Sequence, residues 1–132
     1  MTLDEALDLD PLVAILRGVE PAEVVAHCEA VFAAGIRAVE IPMNSPSPLD
    51  SIARAAAAVG DRMAVGAGTV LTIAAVEGVG SAGAVFMVSP NVDVAVIAHA
   101  LSLGLDTLPG FATATEAFAA LAVAARGRPR RR

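Results

Sequence analysis

The chain of 132 residues contains no lysine, no tryptophan and no tyrosine, and only one cysteine. Each absence excludes something. Cys28 alone rules out an internal disulfide, and at an apolar helical position it belongs to the core rather than to thiol chemistry. No apolar run reaches the roughly 18 residues of a membrane span. The acidic opening Met1-Thr2-Leu3-Asp4-Glu5 lacks the basic region and apolar centre of a signal peptide, so the expected location is the cytoplasm, with no membrane partner. No spacing of His, Cys and carboxylates suggests a metal site, and no cofactor is implied. His27 and His99 fall within helical stretches and read as structural or solvent-facing. Because all nine basic residues are arginines, no side chain here can offer an amine to a carbonyl substrate.

What is there is apolar and small: 56% hydrophobic residues with only 3% aromatic. A core of Ala, Val, Leu and Ile suits α/β layering, in which β-branched residues fill strands and alanine lets helices sit close to a sheet. The length allows one domain. Charge is uneven. Fourteen acidic residues and only four arginines precede Arg126, a net charge of −10, whereas the five arginines of residues 126–132 add +5. The expected organisation is an acidic lead-in at 1–10, an α/β domain at 11–125 and an arginine-rich, disordered tail at 126–132. A nucleic-acid role for that tail is disfavoured, because the body is acidic and no aromatic residues accompany the arginines.

One unit recurs five times: an apolar strand, a polar or Gly/Pro loop, a helix, then glycine. The expected strands are Leu12–Leu16, the run through Val39 and Ile41 broken at Pro42, Met63–Val65, Ala84–Val88 and Leu105–Leu108. Pro21 opens a helix with Val24, Val25, Cys28, Val31 and Phe32 on one stripe. Leu49, Ile52, Ala53, Ala56 and Ala57 mark the inward face of the next. A short helix around Ile73 and Val76 is expected to relax into the glycines from Gly78 to Gly83. Val94, Ile97, Ala98 and Leu101 mark the fourth helix, and Phe118 and Leu121 lie on the last. Repeated βα units give a parallel sheet whose strand-end loops gather on one edge, where α/β proteins place their chemistry. Two architectures fit five units: a doubly wound sheet, or part of an eight-unit barrel. Against the first, no phosphate-binding or dinucleotide fingerprint follows strand one, and Gly66-Ala67-Gly68 lacks its third glycine.

Arg17, Glu40, Asn44, Thr69, Asn91 and Thr113 fall at or just past strand ends and should face one another. Glu40 is the anomaly, a carboxylate inside the apolar run Ala38-Val39-Glu40-Ile41-Pro42. It is either a satisfied structural group or a working acid/base. Arg17 is either a rim residue in a surface ion pair or a carboxylate-binding fork. Thr69 could cap the following helix, and Thr113, Thr115 and Glu116 read as capping residues.

In order along the chain, Ile15-Leu16-Arg17-Gly18, Val39-Glu40-Ile41-Pro42-Met43-Asn44-Ser45-Pro46, Gly66-Ala67-Gly68-Thr69-Val70, Ser89-Pro90-Asn91, and Pro109-Gly110 with Thr113-Ala114-Thr115-Glu116 resemble the strand-end motifs of the 2-keto-3-deoxy-6-phosphogluconate aldolase family. The Asn-Ser-Pro after strand two is most similar to its phosphogalactonate branch. The resemblance implies a partial (β/α)8 TIM barrel of about five βα units, with C-terminal truncation. It implies a class I aldolase that cleaves a phosphorylated 2-keto-3-deoxy sugar acid to pyruvate and glyceraldehyde 3-phosphate, in an assembly that is trimeric in the family. By the same resemblance Glu40 moves protons, Arg17 and Thr69 bind the pyruvyl carboxylate, and Asn44, Pro90 and Thr113 shape the substrate pocket. The family's Schiff-base lysine lies on a sixth strand and has no counterpart here, which implies impaired activity. The alternative is a non-catalytic small-acid binding or interaction domain of barrel ancestry.

Overall fold

A computed structural model describes residues 1–127; residues 128–132, which include most of the expected tail, lie outside the described residues. The elements are α1 (Leu3–Leu9), β1 (Val13–Ile15), α2 (Val24–Ala33), β2 (Ala38–Pro42), α3 (Pro48–Val59), β3 (Ala64–Gly68), α4 (Ile73–Ser81), β4 (Phe86–Ser89), α5 (Val94–Ser102), β5 (Asp106–Pro109) and α6 (Ala114–Gly127). The helical backbone of α6 continues two residues past Ala125, where the tail was expected to begin. All four strand pairings are parallel, and the order is β1-β2-β3-β4-β5. A doubly wound sheet reverses its strand order part-way. Here the order never reverses, which is the arrangement of consecutive barrel staves. The fold is therefore a partial barrel of βα units.

Alternation along the strands divides the packing into two cores. Val39, Ile41, Val65, Ala67 and Met87 face the helices and meet Val24, Cys28, Ile52, Val59, Val76 and Val96. The opposite, inner face carries Ala38, Ala64 and Phe86, which are covered by Leu3 and Ala6 of α1. That first helix starts in a capping box between Thr2 and Glu5, which satisfies two otherwise orphaned amides. The acidic lead-in is thus a lid over one end of the sheet.

Two glycines and a phenylalanine explain why β3 is longer than expected. The Gly66-Ala67-Gly68 run is strand, not loop. A Cβ on Gly66 would lie 2.5 Å from the Phe86 ring, so the bare backbone is what seats that ring on the inner face. Likewise α4 runs through Gly78 and Gly80 to Ser81 instead of unwinding. A Cβ on Gly78 would press on Leu49 at 3.1 Å, so the helix trades propensity for close approach to α3.

Two helix faces differ from expectation. In α3 the buried residues are Ser51, Ile52, Ala55 and Val59, while Leu49, Ala53 and Ala57 are exposed. In α5 they are Val96, Ile97, Ala100 and Leu101, with Val94 and Ala98 outside. Where a helix carries small or apolar residues on most sides, as α3 and α5 do, hydrophobic periodicity barely distinguishes faces a third of a turn apart, and packing decides.

Among the described residues, β1 and β5 each pair on one side only. Exposed apolar groups accompany the β5 edge: Leu121 of α6 is 64% exposed and shares a cavity with Leu108 and Phe111, and Phe118 one turn before it is 73% exposed. Leu108, Phe111, Leu121 and Val88 line a cavity of about 490 Å³ between β5 and α6. Unpaired strand edges with apolar neighbours promote association. The 132-residue chain is therefore expected to self-associate in a concentration-dependent way in light scattering, and Phe118→Glu with Leu121→Glu to shift it towards smaller species. A monodisperse monomer at all concentrations would contradict this.

Candidate functional site

Glu40 lies in the middle of β2, paired with Ile15 on β1 and Gly66 on β3. Strand alternation places it with Ala38 on the inner face. It is 6% exposed. One oxygen, Oε2, is buried and has no hydrogen-bond partner among the described residues. The carboxyl occupies space that only a glycine leaves: a Cβ on Gly68 would fall 1.8 Å from Oε2. Burial pushes the Glu40 carboxyl above its ordinary value, and the positive charge of Arg17 pulls against that rise. A carboxyl set this way is suited to hold and release a proton.

Arg17 follows β1 on the same edge. The backbone holds it next to Glu40, because the Leu16 amide donates to the Glu40 carbonyl at 2.9 Å. Its side chain is within salt-bridge distance of no carboxylate among the described residues, so the rim ion pair is not formed. Gly18 then turns the chain at a φ of +77°. Its amide donates to the Ser45 hydroxyl at 3.1 Å, which joins the loop after β1 to the loop after β2.

Thr69 is next to the Gly68 cradle. It does not cap α4: that role belongs to Thr72, whose hydroxyl accepts from the Ala75 amide at 3.1 Å. Instead Thr69 has a φ of +58°. A β-branched residue in the left-handed region costs on the order of 1–3 kcal/mol and is held there only by its surroundings. Its hydroxyl has no partner among the described residues.

Arg17, Glu40 and Gly68-Thr69 are thus brought together. Asn44 is exposed beyond β2 and makes no side-chain bond to them. Pro90 lies against Gly110, where an added Cβ would meet the Pro90 carbonyl at 2.9 Å, so the two fix the loops after β4 and β5 against each other. Thr113 and Glu116 form a reciprocal cap: the Glu116 amide donates to the Thr113 hydroxyl at 3.3 Å, and the Thr113 amide donates to Glu116 Oε2 at 3.0 Å. Of the two histidines, His27 lines a cavity of about 250 Å³ together with Arg17, Gly18 and Glu23, and His99 lies on α5. His27 bonds the Glu23 carbonyl within α2, and His99 lies 3.4 Å from the Glu77 carboxylate. Cys28 is fully buried, its thiol pushed up to about 11 by burial and the neighbouring Glu29. Among the described residues no group of three or more His, Cys, Asp or Glu is placed to hold a metal ion. Sequence reasoning missed the roles of Gly68 and Ser45. Both stood inside recognised motifs, but neither carries a charge to draw attention.

The model of the KDPG and KHG aldolase family matches residues 3–127, from α1 to the end of α6. The chain belongs to that family. It is 49% identical over 111 residues to the 2-dehydro-3-deoxy-6-phosphogalactonate aldolase of Escherichia coli K12, covering 84% of this chain and 54% of that one. Similarity to the 2-dehydro-3-deoxy-phosphogluconate aldolase of Treponema pallidum is lower, 33% over 116 residues, covering 88% of this chain and 55% of that one. A solved structure described as native KDPGal superposes with a TM-score of 0.84 at 48% identity, covering 86% of this chain and 55% of that chain. The chain therefore spans about half the length of these KDPG and KHG aldolase relatives. No helix among the described residues is long and apolar enough to cross a membrane.

Two outcomes follow from the Glu40 environment. A carboxyl raised on folding binds its proton more tightly in the native state, so stability declines as pH rises above the unfolded value of 4.5 through the folded one. Glu40→Gln should abolish that decline and be more stable than the parent at neutral pH, with the difference vanishing in acid; pH-dependent melting measures it. Gly68→Ala should cost about 1–3 kcal/mol by overpacking. It should also displace the Glu40 carboxyl signal in carbon NMR, and an unchanged signal would refute the cradle.

Proposed function

We propose that this chain supplies the substrate-carboxylate and proton-handling part of a class I aldolase site. The substrate is 2-dehydro-3-deoxy-6-phosphogalactonate or its gluconate epimer, and the products are pyruvate and glyceraldehyde 3-phosphate. The observation that carries the reading is the buried, unpartnered Glu40 oxygen beside Arg17 at the strand-end edge of a partial barrel. The higher identity to the phosphogalactonate enzyme supports the galactonate epimer.

In this reading Arg17 grips the pyruvyl carboxylate through its guanidinium fork, and the Thr69 hydroxyl adds a bond to the same group. Asn44, Pro90 and Thr113 border the sugar chain. Glu40 takes the proton from the hydroxyl next to the breaking carbon-carbon bond and returns one to the carbon left behind. Its raised proton affinity suits both halves of that task. The electrons of the broken bond need a sink. In a class I aldolase this is the iminium formed between a lysine amine and the keto carbon. These 132 residues contain no lysine, so on their own they bind but do not complete the covalent step. Among the described residues no second arginine follows a strand end, which leaves the substrate phosphate without an arginine partner in this reading. The cytoplasm as location and a homo-oligomer as working assembly belong to the same proposal.

The missing amine favours one second reading, a non-catalytic domain that binds small keto acids at Arg17, Glu40 and Thr69. Calorimetric titration with pyruvate, paired with borohydride reduction and mass spectrometry, separates the two from each other and from an inert chain. The 132-residue chain is expected to bind pyruvate, to lose binding in Arg17→Gln, and to trap no adduct. Adding a lysine-bearing C-terminal half of a relative should restore trapping and cleavage, both weakened by Glu40→Gln; binding without such rescue would favour the second reading. Cleavage by the unaided chain would overturn the dependence on lysine, and absence of pyruvate binding would overturn both readings.

A further inference from the structure

Ser45 is buried, at 7% exposure, although its neighbours Asn44, Pro46 and Ser47 are exposed. Its own amide donates to the Pro42 carbonyl at 2.9 Å, closing the turn that leaves β2. Its hydroxyl points away from that turn and accepts the Gly18 amide from the neighbouring loop, 27 residues earlier in the chain. The bond completes a pair. On one side of Arg17 the Leu16 amide is held by the Glu40 carbonyl at 2.9 Å, and on the other the Gly18 amide is held by Ser45 at 3.1 Å. Arg17 is suspended between two clamps, one of them the backbone of Glu40 itself. The second clamp matters because β1 is a three-residue strand with a single partner among the described residues, and such a strand frays at its end.

We infer that Ser45 is a positioning residue: its hydroxyl pins the Arg17-Gly18 turn to the β2 loop and so fixes the Arg17 guanidinium relative to the Glu40 carboxyl. For the chemistry it serves, this rests on the aldolase reading; the geometry stands without it. The surroundings of Glu40 make the consequence specific. The turn after β1 contributes Arg17, and β3 contributes Gly66 as the strand partner and Gly68 as the space the carboxyl fills. Among the described residues Arg17 is thus the only charge acting on the carboxyl, and it acts against burial. Without the Ser45 bond the turn moves into solvent, Arg17 spends time further from Glu40, and burial prevails.

The test follows the Glu40 carboxyl by carbon NMR across a pH titration of the full chain labelled at glutamate side chains. Ser45→Ala should shift the titration midpoint upward, in the same direction as Arg17→Gln and by no more than it. In the Arg17→Gln background Ser45→Ala should add nothing, and Ser45→Thr, which keeps the hydroxyl, should stay near the parent. A midpoint unmoved by Ser45→Ala, or moved equally with and without Arg17, would reduce Ser45 to a packing residue and overturn the inference. If Ser45→Ala does not fold, Ser45→Cys, a weaker acceptor of similar size, carries the same comparison. A pyruvate titration on the same variants keeps the two ideas apart. An Arg17-dependent midpoint shift with no pyruvate binding sustains the clamp and sinks the aldolase reading, whereas binding with no midpoint shift does the reverse.

Discussion

The structure depends on how one carboxyl is accommodated in the wall of a sheet. Glu40 sits where a parallel strand is packed on both faces, and every residue of β2 is buried with it. Placing a carboxyl there is tolerable only if it can stay protonated, or if space and a countercharge are provided. Gly68 provides the space and Arg17 the charge. Glycine is a poor strand former, so a strand reading Ala-Val-Gly-Ala-Gly holds together because large neighbours lean over its bare positions. Phe86 covers Gly66 and Glu40 covers Gly68. The same absence of side chains therefore builds the inner core in the middle of β3 and makes room for the Glu40 carboxyl at its end.

That division runs through the whole molecule. Towards the start of the strands the inner face is sealed by α1, with Leu3 and Ala6 on Ala38, Ala64 and Phe86. Towards their ends it opens into loops that carry Arg17, Asn44, Thr69 and Pro90. Stability is concentrated in the sealed end and the helix-facing core, while strain is concentrated at the open one, where Thr69 and Ser47 both have positive φ. Keeping the two apart lets the loops be shaped by chemistry without weakening the core.

The site is lopsided in a way that follows from its position on the sheet. Glu40 comes from β2, and Arg17 and Thr69 from the ends of its two neighbours, β1 and β3. The opposite flank, at β5 and α6, presents Leu108, Phe111 and Leu121. A sheet that ends in polar loops at one flank and in an apolar, unpaired edge at the other matches a barrel wall seen in part, and the relatives are about twice as long.

Much of this was legible beforehand for physical reasons. Strand and helix order followed from Gly and Pro punctuation, and Glu40 stood out because a carboxylate inside an apolar run has few explanations. The buried Cys28 and the capping pair Thr113 and Glu116 followed from residue type and spacing. What sequence could not rank were alternatives of nearly equal local energy. The inward faces expected of α3 and α5, the end of β3 expected at Val65 and the Thr69 cap all gave way to neighbouring choices: Ser51 and Ala55 or Val96 and Ala100 inward, strand through Gly68, and Thr72 as cap. By itself the sequence determined the alternation of elements, the family and the odd carboxyl. Tertiary packing decided which helix faces are buried, that glycine makes room for Glu40, and that Ser45 reaches Gly18. Those contacts join residues far apart in the chain, and no local pattern encodes a distance across a sheet.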